Sequence, residues 1–97
     1  MDRDSRRYSR SKLADDVDSI VNELIKERLV TIDSICEELD CTDRTLMNYR
    51  KGVSDIPAWR LWKLRAIGYS GDAKLQAIAE LNKFGYSLKR SWKNINC

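Results

Sequence analysis

The stretch Thr31–Gly52, TIDSICEELDCTDRTLMNYRKG, decides how the rest of the chain is read. Ile32, Ile35, Cys36 and Leu39 fall at i, i+3, i+4 and i+7, the spacing of one amphipathic helical stripe. Thr31 stands just ahead of this run, where its hydroxyl can accept from free first-turn amides, with Ser34 a weaker candidate for the same task. Asp33 places a carboxylate near the positive end of the helix dipole. The run then breaks at Asp40-Cys41-Thr42. Asp tolerates the left-handed conformation better than most residues, and Thr42 can cap a second helix running from Asp43 to about Lys51. Gly52 is a natural stop.

Two short helices joined by about three residues fit a helix-turn-helix, whose second helix can lie in a DNA major groove. The string resembles the helix-turn-helix of the phage Cro and repressor family, also called XRE-like. In that family a small residue on the first helix lets the second pack closely, and Cys36 occupies that position. Asp40 stands where the family usually has Gly, Cys41 at its usual Val, Thr42 at its usual Ser and Leu46 at its buried aliphatic residue. The resemblance continues through Gly52 and Pro57 to a fourth helix ending near Ile67-Gly68, so it covers Thr31 to Gly68. It implies a regulator that binds double-stranded DNA as a homodimer on a two-fold operator.

On the proposed reading helix, Leu46 and Tyr49 point inward. In the family the matching positions near the start and middle of this helix meet base edges, here Asp43, Arg44, Thr45, Met47 and Asn48. Arg44 is suited to a bidentate contact with guanine and Asn48 to one with adenine. Thr45 can touch a thymine methyl or a phosphate. Asp43 can accept from a cytosine amine or simply favour the helix N-terminus. Thr42, Arg50, Lys51 and Ser54 are the candidate contacts to the sugar-phosphate backbone. Arg50 and Lys51 also suit the negative end of the helix without any partner.

Upstream, Ser11 begins a first helix with Asp15 and Asp16 at its positive end. Leu13, Val17, Ile20, Val21, Leu24, Ile25 and Leu29 keep helical rhythm for over four turns. Downstream, Pro57 suits the first turn of AWRLWKLRAIG, with Ala58, Leu61, Leu64 and Ile67 in one stripe and Trp59 and Trp62 beside it. A fifth helix is expected from Asp72 to about Phe84, closed by Gly85. Leu75, Ile78, Ala79 and Asn82 form one of its faces, and Ala77, Leu81 and Phe84 another. One face can pack on the core and leave the other for a second subunit. Trp59, Trp62, Leu81 and Phe84 are the candidate dimer or partner surface.

The expected architecture is therefore an all-α, five-helix Cro/repressor-like domain over residues 11–85, with the helix-turn-helix at 31–52. A flexible basic arm precedes it at residues 1–10, and a tail follows at 86–97. The arm, with Arg3, Arg6, Arg7 and Arg10, either wraps into a minor groove or only solubilises the chain. The tail mixes Tyr86, Leu88, Trp92 and Ile95 with Lys89, Arg90 and Lys93, which leaves strand, short helix and arm all open.

A chain of 97 residues suits one small helical core. It holds one Pro and four Gly, with no alternating β-branched run, so the pattern favours helix over sheet. No apolar run of membrane-spanning length and no secretory leader are expected, and the cytoplasm is the default compartment. The three cysteines and the absence of histidine argue against a metal site and any cofactor, since Cys36 and Cys41 lack zinc-ligand spacing. Both read as small, reduced core residues. The paired acids Asp15/Asp16 and Glu37/Glu38, expected on solvated helix faces, converge on no acid-base constellation, so no enzyme is expected.

The net charge of +3 conceals a segregation. Residues 13–41 hold Lys26 and Arg28 against nine acids, whereas residues 42–97 hold eleven bases against Asp43, Asp55, Asp72 and Glu80. A basic recognition half beside an acidic scaffold half suits a protein that meets a polyanion on one side. The other function class to weigh is a protein-interaction module that keeps the fold and binds a host regulatory protein or polymerase subunit through Trp59 and Trp62.

Overall fold

A computed structural model describes residues 13–89 of the chain. Five helices follow in order: α1 Ala14–Arg28, α2 Ile32–Leu39, α3 Asp43–Lys51, α4 Ala58–Gly68 and α5 Gly71–Lys83. The described residues contain no strand, and the class is all-α. None of these helices is long and apolar enough to cross a membrane.

The ends of α2 and α3 are built by the same local chemistry. The amide of Ser34 donates to Thr31 Oγ1 and that of Thr45 to Thr42 Oγ1, each at 3.1 Å, so both threonines cap as their positions predict. At the C-termini, Asp40 and Gly52 take the left-handed conformation, φ 56° and 81°. The amides of Asp40 and Cys41 then return to the carbonyls of Glu37 and Cys36. Those of Gly52 and Val53 return to Tyr49 and Asn48. These crossed pairs are Schellman closures, and the first sets the three-residue turn between α2 and α3.

The core is filled by Val17, Ile20, Val21 and Leu24 of α1, Ile35, Cys36 and Leu39 of α2, Leu46 and Tyr49 of α3, and Leu61, Leu64 and Ile67 of α4. Helices α1 to α4 close around one another, whereas α5 packs chiefly on α4.

Several expectations at the helix margins need correction. Helix α1 begins at Ala14, with Leu13 at its cap position, and Ser11 lies outside the described residues. Leu29, expected in the buried stripe of α1, is the residue at which the helix ends. It takes φ 57° and stands 84% exposed. Ala58 is exposed as well, while Ala66 and Lys63 of α4 are buried. On α5 the buried face is Ala77 and Leu81, both fully covered, and Leu75 is 66% exposed. Leu81 is therefore a core residue and no part of a dimer or partner surface.

Gly68 ends α4 where it crosses α1. A Cβ at this position would sit 2.5 Å from Ile20 Cγ2, closer than carbon atoms approach. Because Ile20 is itself almost fully buried, it has little room to withdraw. Gly68→Ala is expected to lower stability by roughly 1–3 kcal/mol, as overpacking does. Denaturant unfolding of the two proteins checks this, and an unchanged midpoint would show that α1 and α4 separate freely at the crossing.

Candidate functional site

Helix α3 is fixed to the scaffold on one side and left open on the other. Leu46 and Tyr49 face inward, 1% and 5% exposed. Asp43, Arg44, Met47 and Lys51 are exposed, and Thr45 and Asn48 are half-buried at the border. Arg44 and Lys51 lie seven residues apart, two turns or about 10 Å along the axis. Met47 and Asn48 sit between them. The result is one outward stripe with a cation at each end, an amide and a thioether in the middle.

Two of the residues expected at this surface turn toward the protein. Arg50 Nε donates to Asp18 Oδ1 at 2.7 Å, and a second guanidinium nitrogen donates to Asn22 Oδ1 at 2.9 Å. This pairing ties α3 to α1, so Arg50 positions the helix. Asp43 Oδ1 accepts from Cys36 Sγ at 3.4 Å, which turns that carboxylate toward α2. Thr42 Oγ1 accepts from the Thr45 amide as a cap and donates to Thr45 Oγ1. Ser54 is half-buried beside the end of α3, and its amide donates to the Asn48 carbonyl at 3.3 Å.

The angle between α2 and α3 is held by cations of α4. Arg60 donates through Nε to the Leu39 carbonyl at 2.8 Å. Its terminal nitrogens donate to the Asp40 carbonyl and to the Tyr49 hydroxyl, both at 2.9 Å. One guanidinium thus bridges the end of α2, the turn and α3. A turn further on, Lys63 Nζ donates to the Glu38 carbonyl at 2.8 Å and lies 3.2 Å from Glu38 Oε2. Both side chains of this pair are essentially sealed, 3% and 0% exposed. Glu38 is therefore not on a solvated face. It shares the apolar side of α2 with Ile35 and Leu39 and is tolerated there because Lys63 meets it.

Four further bases of the described second half are also engaged within the fold. Arg65 forms a two-nitrogen contact with Asp16, Lys74 donates to the Ala66 carbonyl, Lys83 pairs with Glu80, and Lys89 pairs with Asp40. Among the described residues from 42 onward, Arg44 and Lys51 alone among the bases carry no such partner. In the described second half, most of the positive charge is internal wiring.

The aromatic candidates are partly covered. Trp59 stacks on Tyr86 with ring centroids 4.5 Å apart, and the Arg60 guanidinium lies 4.7 Å from the Trp59 centroid. Arg65 lies over Trp62 at 4.9 Å. Phe84 remains 48% exposed. The arginines of the expected arm, Arg3, Arg6, Arg7 and Arg10, lie outside the described residues, as does the tail from Arg90 onward.

The residues that sequence reasoning missed are Glu38, Arg60, Lys63 and Lys89. A signal existed: Arg60 and Lys63 share a helical face at i, i+3, and the acids Glu37, Glu38 and Asp40 cluster where α2 ends. What pairs them is tertiary, so the spacing alone did not assign them. Among the described residues no group of three or more His, Cys, Asp or Glu is placed to hold a metal ion. No known protein family, no curated protein and no solved structure matches the chain.

Two outcomes follow from this wiring. Lys63→Met keeps most of the side-chain volume and strands Glu38 without its cation, so a loss of roughly 3–5 kcal/mol is expected in chemical denaturation. Adding Glu38→Gln should restore a large part of it, and a double variant no more stable than Lys63→Met alone would show that charge burial is not the cause.

The thiols give the second outcome. Burial, helped by the Asp43 hydrogen bond, pushes the Cys36 thiol up to about 12, and burial also raises that of Cys41. Both remain protonated at neutral pH and react slowly, because the thiolate is the nucleophile. In a Cys97→Ser protein at pH 8, a thiol reagent is expected to label the half-buried Cys41 first and Cys36 only as the chain unfolds. Rapid labelling of Cys36 in the native state would contradict this.

Proposed function

We propose that this chain is a sequence-specific DNA-binding regulator, a Cro- or repressor-like control protein of the kind phages and mobile elements use, acting in the cytoplasm. Helix α3 enters the major groove and reads bases through Arg44 and Asn48, with Met47 and Thr45 at the edges of the contact. Lys51, Thr42 and Ser54 meet the phosphates. The protein works by occupying DNA, without catalysis, and binds a two-fold operator as a dimer.

The observation that carries this reading is the outward stripe of α3. In a fold that gives nearly every described base of its second half an internal partner, Arg44 and Lys51 are left over on one exposed helix face, with the Asn48 side chain between them. A planar fork and an amide on the same groove-sized cylinder are the groups that recognise guanine and adenine edges. Charged side chains without internal partners also retain their full capacity for phosphate. The protein-interaction reading has less support, because Trp59 already stacks on Tyr86 and Trp62 lies under Arg65.

Selection of bound sequences from a randomised duplex pool, at near-physiological salt, tests the proposal. A short inverted repeat is the expected product. Arg44→Ala should then cost roughly 1–3 kcal/mol and relax preference at one base position. Lys51→Ala should weaken all sequences alike and reduce the salt slope by about one. A pool that stays unenriched with well-folded protein would overturn the reading.

A further inference from the structure

The chain does not stop contributing to the fold where α5 ends. The amide of Gly85 donates to the Asn82 carbonyl and that of Tyr86 to the Leu81 carbonyl, with Gly85 at φ 86°, and the chain turns back across α4. Tyr86 stacks on Trp59, and Leu88 packs against the edge of the core. The Lys89 amide donates to Glu38 Oε2 at 2.7 Å. Its ammonium donates to the Glu37 carbonyl at 2.9 Å and to Asp40 Oδ1. Residues 86–89 thus end on the turn that joins α2 to α3, about fifty positions away in sequence.

Three features make this segment a removable part of the fold. It has no regular secondary structure, Tyr86, Ser87 and Lys89 are exposed, and only Leu88 and the Lys89 backbone bond reach inward. Such segments open at low cost relative to the core. What they touch is a place where support matters. Asp40 holds a left-handed conformation that costs a non-glycine residue energy, and the last carbonyls of α2 depend on donors from the turn and from other elements. Lys89 supplies a donor to one of those carbonyls and a cation to Asp40, whose carboxyl it holds below the usual carboxylate range.

We propose that residues 86–89 are a releasable strap that braces the α2–α3 turn, so that docking of the C-terminal segment sets how firmly α3 is held and, through it, the affinity for DNA. This rests on the DNA-binding reading above. With the strap docked, α2, the turn and α3 form one rigid reading unit. With the strap withdrawn, Lys63 and Arg60 still hold their carbonyls and the Asp40 amide still meets the Glu37 carbonyl, but that carbonyl loses the Lys89 ammonium, the Asp40 carboxylate loses its cation and the turn loosens. Any ligand that takes residues 86–89 in another conformation must lower DNA affinity, and operator DNA must in turn weaken that ligand, because coupling between sites is reciprocal.

The test uses the full chain and two readouts. Amide hydrogen exchange at Cys41, whose N–H closes the turn on the Cys36 carbonyl at 3.1 Å, reports the brace without DNA. Affinity for the selected operator reports the coupling. Tyr86→Ala with Lys89→Ala is expected to speed exchange at Cys41 while leaving core amides such as that of Leu24 unchanged. It should weaken operator binding at least about fivefold, the lower end of ordinary coupling between sites. Tyr86→Phe with Lys89→Arg keeps the ring and the cation and should restore both.

Unchanged exchange at Cys41 overturns the brace. Faster exchange with unchanged operator affinity overturns the coupling. A wild-type chain that enriches no duplex sinks the DNA-binding reading and the coupling with it, and the exchange experiment then still decides whether the strap braces the turn.

Discussion

The Arg60 guanidinium is the constraint on which the arrangement of α2 and α3 depends. A helix C-terminus leaves its last carbonyls without intrahelical partners and gathers partial negative charge there. Helix α2 ends against α4, and side chains of α4 supply donors to those carbonyls. A planar fork of donors meets the need better than a point charge does. From one position on α4 it reaches the Leu39 carbonyl, the Asp40 carbonyl and the Tyr49 hydroxyl. Through Tyr49 it also registers α3, so the angle of the helix pair is held by polar contacts as well as by packing. Lys63 extends the same arrangement one turn along, at the cost of burying its charge against Glu38.

Electrostatics therefore does two different things in this molecule. Acids of α1 and α2 and bases of α3 and α4 are segregated in sequence because they meet across helix interfaces: Asp16 with Arg65, Asp18 with Arg50, Glu38 with Lys63. Apart from the sealed Glu38–Lys63 pair these are partly exposed contacts, each modest in energy. Together they specify which helix face meets which. A count of charge along the chain cannot separate this wiring from a binding surface. Subtracting the paired groups can, and in the described second half it leaves Arg44 and Lys51.

The helix-turn-helix was legible in the sequence because its determinants are local. Thr31, Thr42, Asp40 and Gly52 act on amides and carbonyls within a few residues of themselves, so their positions settled the ends of α2 and α3. The inward stripes of α1 to α3 were legible for the same reason. Less was legible wherever two solutions had equal periodicity. Helix α5 offers two apolar faces, and only the packing of α4 selects Ala77 and Leu81 and leaves Leu75 in solvent. Arg50 suited a helix C-terminus and a phosphate equally well by position, and its pairing with Asp18 on α1 could not be read from the sequence. Glu38 looked solvated because its partner lies 25 residues away.

Asp40 shows how local backbone strain can be met by a distant part of the chain. A glycine at this position would take the left-handed conformation with less strain, and the turn would then lack the carboxylate that pairs with Lys89. With Asp40 the backbone strain is kept, and the carboxylate becomes an anchor for Lys89, which also reaches the Glu37 carbonyl and, through its amide, the buried Glu38. The strained residue thereby joins the turn between α2 and α3 to Lys89. The residue that makes the turn intrinsically less comfortable thus also ties it to a residue outside the helix pair, about fifty positions away in sequence.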